Sequence, residues 1–84
     1  MTISPDVKAL WRAPFRADGT DVVDADERLV CYAFGPVPQV APVYLRHDEA
    51  LCRSWRDTFR AIVGTETDPD AVARLLTEAW EATS

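Results

Sequence analysis

The sequence predicts an α+β domain: a short N-terminal helix, a small antiparallel sheet of two to four strands, and two C-terminal helices forming an αα-hairpin packed on the sheet. Three observations lead there. Apolar residues recur at helical spacing near both ends of the chain. Alternating residues and tight-turn signals fill the stretch between residues 16 and 34. The proline-rich run GPVPQVAP at 35–42 separates the two halves. An all-α arrangement with an irregular first half is the alternative. The expected layout is one small domain over 1–84: helix plus β-hairpin at 1–35, a proline-rich connection at 36–46, and a helical hairpin at 47–84.

The first helix is expected in ISPDVKALWRAP. Ser4 can cap it, Pro5 suits the first turn, and Asp6 meets the positive end of the helix dipole. Val7, Leu10 and Trp11 would share one apolar face, and Pro14 would end the helix because it pushes Ala13 out of the helical region. The sheet comes next. Asp18-Gly19 marks a tight turn, and Asp24-Ala25-Asp26-Glu27 marks another. The clearest strand is Arg28 to Phe34. Leu29, Cys31 and Ala33 should face one way and Val30, Tyr32 and Phe34 the other. Both faces are apolar, so the strand should be central, or covered on both sides, with a helix layer or a partner over its second face.

The proline run then breaks that strand. Pro38 and Pro42 donate no ladder hydrogen bonds, so the segment reads as an edge or a stiff connection to the helical half. It contains no strict PxxP, which argues against a polyproline ligand. A short strand at Val43-Tyr44-Leu45 is expected to follow, with a helix opening at Pro42 as the rival.

In HDEALCRSWRDTFRAIVG, Asp48 is the expected N-cap and Gly64 the stop. Leu51, Trp55, Phe59, Ile62 and Val63 form the apolar stripe, with Cys52 at its margin. The last helix begins with Asp68 as cap and Pro69 in the first turn, and carries Val72, Leu75, Leu76, Ala79 and Trp80 on its inner face. Trp11, Trp55 and Trp80 read as core residues. Trp80, near the end of the chain, could instead anchor an interface.

Composition bounds function. Apolar residues make up 48% and charged residues 27%, as in an ordinary globular domain. A net charge of -5 argues against direct nucleic-acid binding, which needs a basic face. There is neither a membrane-spanning apolar run nor a leader-like N-terminus, so a cytoplasmic location is expected. Cys31 and Cys52 read as buried small residues, with a single disulfide as the alternative.

No constellation of catalytic groups stands out. His47 is the one histidine and cannot share a helix face with Cys52. The cysteines and histidine fit no zinc frame, and the glycine of DGTDVVDADE is misplaced for a calcium loop. No metal, cofactor or enzymatic activity is therefore expected. What remains is charge. Asp18, Asp21, Asp24, Asp26 and Glu27 lie in ten residues that contain no base. They read as a partner-binding acidic face or as a solvated hairpin edge. Arg53, Arg56 and Arg60 form a stripe on the middle helix.

The leading expectation is a small non-catalytic interaction protein: an inhibitor, regulator or accessory subunit with a protein partner. Its sharper form blocks a nucleic-acid-processing complex with carboxylates, as compact proteins of phage and mobile elements do, an analogy of size and charge alone. The alternatives are a nucleic-acid-binding regulator that uses the arginine stripe, and a small enzyme subunit that contributes His47. A homodimer is compatible with all three.

Overall fold

The computed structural model describes residues 3–33, 39–40 and 48–82. Phe34, most of the proline run, the expected strand at Val43-Tyr44-Leu45, and His47 lie outside the described residues. The element order is α1 (Pro5–Lys8), β1 (Arg16–Asp18), β2 (Asp21–Val23), β3 (Leu29–Tyr32), β4 (Gln39–Val40), α2 (Glu49–Val63) and α3 (Pro69–Ala82). The α+β class is as the sequence predicts. The four strands form one antiparallel meander in the order β1-β2-β3-β4. Helix α3 packs on β1 and β2, and α2 packs on α3 and α1. The sheet does not stop at the proline run, because Gln39–Val40 adds an edge strand within it.

The two long helices begin and end where their caps put them. The Asp48 carboxylate accepts from the Leu51 N–H at 2.9 Å, and Gly64 closes α2 at a φ of 63°. The Asp68 carboxylate accepts from the Ala71 N–H at 3.2 Å, with Pro69 as the first residue of α3. The first helix is shorter than its sequence suggests. It is a single turn ending at Lys8, and Leu10 and Trp11 lie beyond it. The reason is competition for the backbone. The Trp11 carbonyl accepts from Trp80 Nε1 at 3.2 Å, and the Arg12 N–H donates to Asp24 Oδ2 at 3.0 Å. A helix continued to Trp11 and Arg12 would have to give up these tertiary bonds.

Aromatic rings hold the centre. Trp11 and Trp55 have ring centroids 6.0 Å apart, Trp55 and Trp80 5.8 Å, Trp55 and Phe59 5.5 Å, and Phe15 and Trp80 5.1 Å. All three tryptophans are buried, so Trp80 is a core residue and not an interface anchor. Its indole N–H donates to the carbonyls of Lys8 and Trp11, each at 3.2 Å. This one side chain thus pins the end of α3 to the end of α1. Truncating a buried ring of this kind costs about 3–5 kcal/mol, a large share of the roughly 5–15 kcal/mol that holds a small domain together. Thr77 ties α3 to the residue that leads into β1, accepting from the Phe15 N–H at 2.9 Å, and within α3 it donates to the Ala73 carbonyl at 2.9 Å.

Candidate interaction face

Strand register sorts the sheet's side chains into two faces. Residues directly opposite each other in neighbouring strands project to the same side. The rank Ala17–Val22–Cys31–Val40 faces the helices; Val22 and Cys31 are core residues and Val40 packs against them. The ranks Arg16–Val23–Leu29 and Asp18–Asp21–Tyr32–Gln39 face the other way. None of these seven side chains joins the cluster that the helices build, although Val23 is itself buried.

A β-bulge sets this partition. Val22 pairs with Cys31, but Val23 pairs with Leu29, so Val30 is an extra residue in β3. Val30 is buried in the core beside its neighbour Cys31, and Leu29 is moved to the outer face with Tyr32. Strict alternation, as the sequence suggests, would have put Val30 with Tyr32 and Leu29 with Cys31. The strand is central, as expected, and among the described residues its inner face joins the core that the helices build.

The five acids predicted as one face have two different fates. Asp24 is only 1% exposed. Its Oδ1 accepts from the N–H groups of Asp26 (3.0 Å) and Arg28 (2.9 Å). Its Oδ2 accepts from the Arg12 N–H (3.0 Å) and from Arg28 Nε (3.2 Å) and Nη2 (2.8 Å). Burial alone would push the Asp24 pKa up. The backbone bonds from Arg12 and Arg28, together with the Arg28 guanidinium, outweigh burial and hold it below its ordinary value. Asp24 therefore organises the turn from inside and presents no carboxylate to a partner. Around it, Asp26 pairs with Arg12 at 2.9 Å and Arg28 at 3.5 Å, and Glu27 pairs with Arg16 at 2.9 Å. Glu27 itself sits at a φ of 62°, in the left-handed region.

The other end of the stretch is open. Asp18 and Asp21 are Cα partners across the end of the β1–β2 hairpin, joined by Gly19-Thr20 with Gly19 at a φ of 66°. A tight two-residue loop demands that positive φ, and glycine adopts it without strain. Asp18 is exposed and Asp21 half-buried, and neither makes an ion pair with a described residue. Like charges directly opposite each other repel. Beside them on the same face lie the half-buried side chains of Leu29 and Tyr32.

The arginine stripe is exposed as predicted. Arg53, Arg56 and Arg60 form no ion pair with a described residue, and Arg56 Nη2 lies 3.8 Å from Cys52 Sγ. Both cysteines are free thiols, so the disulfide alternative fails. Burial, and secondarily the Asp21 charge, push the Cys31 pKa up to about 12, which keeps that thiol protonated and unreactive. Among the described residues no group of three or more His, Cys, Asp or Glu side chains could hold a metal ion, and no helix is long and apolar enough to cross a membrane. Comparison with protein-family models, curated proteins and solved structures yields no match.

Proposed function

We propose that this chain is a small non-catalytic interaction protein that docks a basic protein partner on the outer face of its sheet. One observation carries this reading. Asp18 and Asp21 stand opposite each other on that face and form no ion pair with a described residue, whereas the neighbouring acids, and with them Arg16 of the same face, are engaged in pairs. An arginine or lysine of the partner set between the two carboxylates would turn a repulsive pair into a bridged one. Leu29 and Tyr32 add apolar area at the centre of the same face. In its sharper form the chain is an inhibitor, regulator or accessory subunit that occupies cations a nucleic-acid-processing complex uses for phosphates. That role falls to Asp18 and Asp21; Asp24, Asp26 and Glu27 hold the turn at the other end of β2 with Arg28, Arg12 and Arg16.

A second reading rests on Arg53, Arg56 and Arg60, whose exposure without ion pairs leaves them available to an acidic surface. Retention of a labelled duplex in physiological salt would support its nucleic-acid form, and no retention would remove it.

The test is capture from a lysate of the source organism, with wild-type protein and the Asp18→Asn/Asp21→Asn variant side by side at low and high salt. The proposal expects a basic partner held by wild type, released by salt and absent from the variant. Equal capture by both proteins would sink it.

A further inference from the structure

The outer faces of α2 and α3 carry charges that no part of the described chain answers. On α2, Arg53 and Asp57 are exposed and four residues apart, so they lie in one stripe one turn apart. On α3, Arg74 and Glu78 are exposed with the same spacing. None of the four makes an ion pair with a described residue. On the side of the α2 stripe that leads to groove residue Ala61 the exposed residues are small, Ala50, Ser54 and Ala61, while the exposed Arg56 and Arg60 flank its other side. Between the two helices runs an apolar groove of about 340 Å³, lined by Ile62, Leu75 and Ala79, with Glu78 at its rim.

We infer that this face is a self-association surface whose occupant is the same face of a second copy. The order and direction of charge along the two helices select that occupant. Helices α2 and α3 form a hairpin and so run antiparallel. A twofold axis parallel to the helices lays α2 of the second copy over α3 of the first, again antiparallel. Passing along α3 from Arg74 to Glu78, the overlying α2 then reads Asp57 and then Arg53. Arg74 meets an aspartate and Glu78 meets an arginine over the same rise of about 6 Å. Symmetry repeats both pairs on the other side. Small residues on α2 let the helices approach, and the apolar groove supplies the centre of the contact. In the opposite helix direction the same charges would meet arginine to arginine and aspartate to glutamate. This surface is distinct from the sheet face, so either proposal can fail without the other.

The experiment is sedimentation equilibrium over a range of concentrations at low salt, with two charge-reversed variants. In Arg53→Glu/Asp57→Arg every contact between identical copies becomes like-on-like, and the same holds for Arg74→Glu/Glu78→Arg. Wild type is expected to dimerise, and each variant alone to dimerise at least about tenfold more weakly. An equimolar mixture of the two variants restores all four attractive pairs, so dimers should return in the mixture. All four altered positions are exposed, and circular dichroism of each variant should match wild type. A monomeric wild type, variants that dimerise as well as wild type, or a mixture no tighter than its components would each overturn the inference.

Discussion

The turn at 24–27 and the hairpin end at 18–21 are built from the same residue type in the same short stretch, and they behave as opposites. At the turn, Asp24 is buried under five hydrogen bonds, and Asp26 and Glu27 are held by arginines. At the hairpin end, Asp18 and Asp21 face each other and solvent. The difference comes from the arginines. Arg12, Arg16 and Arg28 lie outside the acidic run in sequence, and the fold brings all three onto one end of it. A carboxylate that meets such donors becomes part of the scaffold, and one that does not remains available.

The two ends differ most at Asp24. Asp24→Asn removes the charge, keeps a single carbonyl acceptor where two oxygens served, and leaves buried donors of Arg12 and Arg28 short of partners. It should cost about 3 kcal/mol in urea unfolding, and a loss below about 1 kcal/mol would mean the carboxylate is not the keystone. The same residue sets the acid limb of stability. Its folded-state pKa is lowered from the unfolded value of 3.8, so its contribution is complete above that value and is lost as pH falls through the lower folded-state pKa. Urea midpoints measured across acid pH should fall less steeply for Asp24→Asn than for wild type; identical slopes would place the acid sensitivity elsewhere.

At Glu27 two small effects oppose each other. Glycine there relieves a left-handed conformation that costs an L-residue about 1–2 kcal/mol, and it gives up an exposed ion pair worth about 0–1 kcal/mol. Glu27→Gly should thus be stabilising, by about 0.5 kcal/mol in thermal or urea unfolding, and a clear loss would show that the Arg16 pair dominates. The smallest effect belongs to the open end. Asp18→Asn removes a like-charge contact across the hairpin and should raise stability by about 0.2–0.5 kcal/mol, more at low salt than at high. Destabilisation would show that this carboxylate, too, serves the fold.

Much of this architecture can be read in the chain. Both long helices are bounded by the signals their sequences carry, Asp48 and Gly64 for α2 and Asp68-Pro69 for α3, because capping is local chemistry. Both turns fall where Asp-Gly and Asp-Ala-Asp-Glu place them. Three features are hidden for a common reason. The early end of α1, the bulge at Val30 and the burial of Asp24 each depend on partners distant in sequence: Trp80 for the Trp11 carbonyl, Val23 for Leu29, and Arg12 for the Asp24 carboxylate. Counting charge along 18–27 finds five acids and no base, yet three of those acids are answered by arginines outside the segment. One signal was available. Asp24 opens a tight turn directly after Val22-Val23, a position where aspartate often bonds the following backbone N–H groups and not a partner.

On the proposed function, the acidic stretch divides into a half that holds the fold and a half that meets a partner. Titration calorimetry of the captured basic partner tests it most directly, using Asp18→Asn/Asp21→Asn and Asp26→Asn/Glu27→Asn beside wild type. Each double variant removes two charges, so net charge is matched. The first variant should lose at least about tenfold in affinity and the second stay within about threefold, because surface pairs already satisfied by arginine contribute little. Equal losses from the two variants, or a larger loss from the second, would contradict it.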